Sequence, residues 1–159
     1  MSHNILTRIE HLCDYASVAE ATILPRDTTF IGDITETQVA AALVRHGMRV
    51  LRPISSATRY DLLIDHDDGR FTRVQCKTGI LRRGCVVFRL YSISGHDTQR
   101  KEYAGQADAF GVYCPQTNRS YLVPMTAISI CRSFATLRVE PTKNGQRRGT
   151  RDAAEFAIS

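Results

Sequence analysis

YDLLIDHDDGRFTRVQCKT, residues 60–78, decides how the rest of the chain is read. Two apolar runs flank Asp68-Gly69, a dipeptide suited to a tight hairpin turn, so the stretch predicts two antiparallel strands. Asp61 interrupts the first run, and Gln75 and Lys77 interrupt the second. Side chains alternate across a strand, so Gln75 and Lys77 share one face while Val74, Cys76 and Thr78 take the other. Antiparallel pairing then brings the Asp61 carboxylate towards Gln75 and Lys77.

Outward from the hairpin, GDITETQVAAALVRHG (residues 32–47) reads as a helix. Asp33 is its expected N-cap, Glu36 stands three residues on, and Gly47 ends it. Glu36 supplies a second carboxylate from above the hairpin, or completes a capping box. MRVLRP is a short strand stopped by Pro53, CVVFRLYSI the strand after the hairpin, and KEYAGQA a short helix. ADAFGVYCP and SYLVPM form a second hairpin, and FATLRV a last strand. Arg100, Lys101 and Tyr103 read as exposed, and Asp108 as a cap or turn residue. The pattern implies an α/β fold, a mixed central β-sheet flanked by helices. Three parts are expected: an N-terminal helical extension over 1–29, the main domain over 30–140, and a basic, mobile tail over 141–159 whose DAAEFAI docks as a helical turn.

Composition restricts the function classes. A hydrophobic share of 43% and a charged share of 23% fit one globular domain, and no apolar run is long enough to cross a bilayer. The first residues carry acids and lack the basic and apolar regions of a secretory signal. Five scattered cysteines with no C-x-x-C pair point to a reduced, cytoplasmic protein whose thiols are small buried hydrophobes. The five histidines are equally dispersed and are assigned to surface and loops. Residues 1–36 sum to −4, whereas residues 37–159 carry +9, a balance that suits a polyanionic partner. Arg82-Arg83 and Arg147-Arg148 on their own read as solvated surface.

Two carboxylates, an amide oxygen and an ammonium around one point suit phosphodiester hydrolysis. A hard divalent cation prefers oxygen, which Asp61, the Gln75 side chain, the Cys76 main-chain carbonyl and Glu36 offer. Magnesium is the expected ion, with manganese as substitute. It would acidify a bound water and offset phosphate charge, while Lys77 orients the nucleophile and stabilises developing negative charge.

Gly32 with Glu36 on a helix, Tyr60-Asp61, and Gln75-x-Lys77 together resemble the PD-(D/E)XK nuclease core over about residues 30–125. The group I intron homing-endonuclease and Holliday-junction-resolvase-like branches are the most similar. This resemblance implies a restriction-endonuclease-like α-β-β-β-α-β core and a metal-dependent DNA endonuclease of homing, junction-resolving or restriction and repair type. It also implies a homodimer or homotetramer. By the same resemblance Asp61 is the metal-binding aspartate, Gln75 fills the (D/E) position, Lys77 is the lysine and Glu36 the helix glutamate. Tyr60 stands where the motif has proline, and Gln75 lacks the usual carboxylate charge, although glutamine is an accepted variant in the homing-endonuclease branch. The alternative is a DNA-binding module that keeps the fold without the chemistry. A third reading, a protein-interaction module, has only the acidic N-terminal helix in its favour.

Overall fold

The computed structural model describes residues 27–55, 57–93, 100–128, 133–141 and 150–158. Of the helical extension expected over residues 1–29, residues 1–26 lie outside them. Helix α1 spans Thr28–Arg45, beginning earlier than the sequence predicts. Asp27, not Asp33, is its N-cap, its carboxylate accepting from the Thr29 N–H at 2.8 Å. Asp33 and Glu36 therefore lie inside the helix, where Glu36 cannot complete a capping box. At the other end the His46 N–H donates to the Ala42 carbonyl, and Gly47, at φ +81°, turns the chain as its sequence position predicts.

The strands β1 (Arg49–Leu51), β2 (Leu62–Asp65) and β3 (Phe71–Thr78) form an antiparallel meander. Asp67 and Gly69, both at positive φ, close the β2–β3 hairpin. Strands β4 (Ile80–Arg82) and β5 (Cys85–Arg89) form the next hairpin, and β6 (Tyr91–Ile93) pairs with β7 (Arg100–Glu102). Strand β8 (Ala109–Cys114) then runs parallel to β3, and β9 (Arg119–Pro124) runs antiparallel to β8. The result is a mixed five-stranded sheet in the order β1-β2-β3-β8-β9. Strands β10 (Phe134–Arg138) and β11 (Arg151–Asp152) complete a second sheet, ordered β11-β10-β5-β4.

The helix expected at KEYAGQA is not formed. Arg100, Lys101 and Glu102 pair instead with β6, and Tyr103 to Gln106 make a turn with Gly105 at φ +71°. Tyr103 is only 4% exposed and stacks edge-on against Phe110, so this segment is fixed by burial of one aromatic ring, not by a helical face. A parallel crossover usually contains a helix. Here the β3-to-β8 connection carries the β4–β5 hairpin and the β6–β7 ribbon.

The tail is only partly as expected. Arg151 and Asp152 add a strand to β10, Ala153–Phe156 makes one 3-10 turn, and the Ile158 N–H donates to the Ser120 carbonyl at 3.0 Å. Ala153 is buried with Phe156 against the larger core, so residues 151–158 are packed and not mobile.

Two cores lie on opposite faces of the central strands. Val39 and Leu43 of α1 meet Leu62, Ile64, Val74 and Cys76 on one side. Phe110, Val112, Tyr121 and Val123 meet Val86, Phe88 and Leu137 of the second sheet on the other. Strand β3 is thus covered on both faces, which places its polar residues at the edge of a packed interior.

Candidate active site

The β2–β3 register, with Leu62 opposite Val74, sets Asp61 just ahead of β2 and beside Gln75. The Asp61 N–H donates to the Val74 carbonyl at 2.9 Å, which continues the ladder by one bond. Its carboxylate Oδ2 accepts from the Cys76 N–H at 2.7 Å and from Gln75 Nε2. Gln75 Nε2 also lies 3.4 Å from the Cys76 carbonyl oxygen, so Asp61, Gln75 and the Cys76 main chain converge as the sequence predicts. Burial dominates at Asp61 and pushes its carboxyl pKa up, against the opposing pull of the Cys76 N–H, Lys77, Arg52 and the Gln75 amide.

Glu36 approaches from α1. Its carboxylate accepts from Arg52 Nη2 at 2.6 Å. Its pKa is raised by burial first and then by repulsion from Asp61, partly offset by Arg52. A carboxylate whose ionisation is hindered by burial and by the charge of Asp61 marks a place where a cation would be stabilised. The helix is held over this point by a 2.7 Å hydrogen bond between the hydroxyls of Thr35, which is buried, and Thr78 of β3.

Lys77 shares the Gln75 face, but its ammonium does not bond to Asp61. Nζ lies 2.7 Å from the Tyr103 hydroxyl and 4.5 Å from the ring centroid. Arg59 occupies the same ring, its Cζ 4.5 Å from the centroid, and donates to Gln106, Ser92 and the carbonyls of Lys101 and Glu102. One tyrosine thus holds two cations beside the carboxylates.

The sequence reading missed this support. Tyr103 was expected to be exposed, yet it is buried, and Arg52 and Arg59 had no expected role. The helix-like pattern of KEYAGQA concealed Tyr103, and both arginines lie in the irregular segment between β1 and β2. Arg100 and Lys101 are exposed, as expected. Asp108 is engaged elsewhere: it accepts from Arg73 Nη2 at 2.7 Å and from the Arg73 N–H at 2.8 Å, and the Arg73 guanidinium holds its carboxyl below the ordinary range.

Two carboxylates and a main-chain carbonyl gather here, with the Gln75 amide turned nitrogen-first towards Asp61, and oxygen donors of this kind are what a small divalent cation takes. Among the described residues, no three His, Cys, Asp or Glu side chains are gathered for a metal. Such oxygen donors suit a hard divalent cation that keeps waters of its own. The Cys76 thiol is free and buried, its pKa raised mainly by burial, so it is not a reactive thiolate.

A helix laid over an antiparallel meander, with a parallel fourth strand and polar groups at the hairpin's end, defines the restriction-endonuclease-like α/β class. A family model of PD-(D/E)XK endonucleases matches residues 26–159, and the chain belongs to that family. Among solved structures it is similar to I-Ssp6803I, a bacterial homing endonuclease, with a TM-score of 0.63 at 21% identity, covering 82% of this chain and 88% of that one. No curated protein is significantly similar to the chain. No helix among the described residues is long and apolar enough to cross a membrane.

Proposed function

We propose that this endonuclease hydrolyses phosphodiester bonds of DNA with Mg²⁺, or Mn²⁺ in its place, held by Asp61, Glu36, the Gln75 side-chain oxygen and the Cys76 carbonyl. The observation that carries this reading is the closure of Asp61 on Gln75 and the Cys76 main chain, with Glu36 close enough to repel it. The ion supplies charge neutralisation at the scissile phosphate and a more acidic water. Asp61 and Glu36 offer the carboxylates, and Gln75 offers its oxygen when its amide turns from the Asp61 contact. Lys77, set at one position by Tyr103, orients the attacking water and stabilises negative charge as it grows on the phosphate. Arg52 tempers the charge of Glu36 while leaving its second oxygen available.

The free, buried thiols of Cys76, Cys85 and Cys114 support a cytoplasmic location. Cutting both strands calls for two sites, which supports a homodimer or homotetramer. Gln75 at the position of a family carboxylate favours a second reading, a DNA-binding module without chemistry. Supercoiled plasmid and a four-way junction, incubated side by side with Mg²⁺ and with chelator, separate the two. Cleavage is expected with Mg²⁺ only, and the preferred substrate distinguishes a duplex cutter from a junction resolver. Lys77→Ala and Asp61→Ala are expected to stay folded by circular dichroism and to cut neither substrate. Cleavage that survives exhaustive chelation would rule out this mechanism.

A further inference from the structure

An open groove of 730 Å³ begins at Lys77 and Thr78 and runs over the outer face of the second sheet. Strand register builds that face. Ile80 pairs with Val87, Val87 with Thr136, and Arg89 with Phe134, so these side chains project to the side opposite the buried Val86, Phe88, Ala135 and Leu137. Arg82 and Arg89 line the groove, both exposed, and neither pairs with a carboxylate among the described residues. No acidic residue lines it among the described residues. At its far end Phe134 is 46% exposed and meets Tyr91 edge-on, with centroids 6.3 Å apart. The Arg100 guanidinium lies 4.7 Å from the Tyr91 ring centroid.

Unpaired guanidinium groups leading to an aromatic pair whose Phe134 is exposed call for a ligand with phosphates along its length and a flat ring at one end. The volume decides its size, since pockets of about 300–1,000 Å³ enclose ligands of drug size. One or two nucleotides fit, and a duplex does not. We propose that this groove holds an unpaired stretch of DNA next to the scissile phosphate, its phosphates on Arg82 and Arg89 and a base against Phe134. The polyanion's identity rests on the nuclease reading above. The preference for an unpaired strand rests on the groove alone, because base–aromatic stacking needs a face that duplex pairing hides.

The test measures binding by the full chain in chelator, so that cleavage plays no part. The probes are a blunt duplex and the same duplex with a three-nucleotide overhang carrying 2-aminopurine. The overhang is expected to bind about tenfold more tightly, the effect of stacking one base, and the 2-aminopurine fluorescence to fall on binding. Phe134→Ala is expected to remove most of that quenching, and Phe134→Tyr to keep it. Arg89→Gln is expected to lower the salt slope by about 0.7, the single-strand value per contact, whereas Arg119→Gln, on β9 outside the groove, is expected to change nothing. Equal affinity for the two probes, or unchanged quenching in a folded Phe134→Ala, overturns the groove assignment. Parallel cleavage by the parent with Mg²⁺ reports on the nuclease reading separately. Cleavage without stacking leaves that reading standing, and stacking without cleavage leaves the groove standing.

Discussion

Asp61 is held by two hydrogen bonds and is still pushed towards its neutral form, because burial outweighs them, and Glu36 is raised by burial and by the Asp61 charge. Both folded pKa values lie above the unfolded ones, so the folded state binds protons more tightly in the interval between them. These two groups therefore cost stability at neutral pH, and that stability returns as pH falls through their raised pKa values. Asp108 has the opposite sign: its pairing with Arg73 stabilises above the unfolded carboxylate pKa and is lost as pH falls. Asp61→Asn is expected to raise stability at pH 7 by on the order of 1 kcal/mol, as relief of a functional site commonly does, and the gain should shrink in acid. Thermal melts of parent and mutant at pH 7 and pH 4.5, each with and without Mg²⁺, check this. Mg²⁺ is expected to raise the parent's Tm and to leave the mutant's nearly unchanged. Tyr103→Phe keeps the ring under Lys77 and Arg59 but removes the hydroxyl, so kcat is expected to fall about tenfold with KM little changed. Asp61, Gln75 and Lys77 were legible because strand alternation and one turn place them. Tyr103 was not, since its closeness to Lys77 comes from a crossover of 26 residues that no local pattern reports.

At the level of elements, the strands of the five-stranded sheet were legible, whereas the start of α1, the β6–β7 ribbon and the split of CVVFRLYSI into β5 and β6 were not. A strand announces itself by alternation against a covered face, which Leu62, Ile64, Val74 and Cys76 display. The start of α1 was misplaced because Gly32-Asp33 looks like a cap, while the true cap, Asp27, stands six residues earlier. KEYAGQA failed for another reason: helix propensity is a weak prior, and pairing with β6 together with burial of Tyr103 overrides it. Gly111 on β8 offers a test of how α1 is seated. A Cβ there would come 2.6 Å from Val39 Cγ1 and 3.0 Å from Val74 Cγ1, so the helix lies on the sheet at a distance only glycine permits. Gly111→Ala is expected to destabilise by about 1–3 kcal/mol through overpacking, read by urea denaturation. The closing strand and turn give a second test. Removing residues 150–159 uncovers the side of Tyr121 that bridges to Ala157 and takes Ala153 and Phe156 from the core. The truncation is therefore expected to lower Tm by several degrees and does not report on charge alone.

Over the whole molecule, the +9 balance of residues 37–159 overstates the charge available to DNA, because many cations are already engaged. Arg49, Arg52, Arg70, Arg73 and Arg151 are each in an ion pair with a carboxylate. Arg59 is tied into four hydrogen bonds around Tyr103. Lys77, Arg82 and Arg89 meet no carboxylate among the described residues and line one groove, so they should displace condensed counterions when a backbone docks. Each phosphate neutralised adds about −0.7 to the slope of log affinity against log salt for a single strand. Three contacts from these residues therefore predict a slope of about −2 for one protomer, steeper if a dimer engages two strands. Replacing Arg82 and Arg89 together should remove about two-thirds of a three-contact slope, whereas replacing Arg49 and Arg70, whose charges are already balanced by Asp67 and Asp68, should change it little. Fluorescence anisotropy with the labelled overhang probe across a salt series, in chelator, measures all three proteins in one format. A slope that follows the number of arginines removed, regardless of which ones, would mean that net charge governs binding and not the groove beside Lys77.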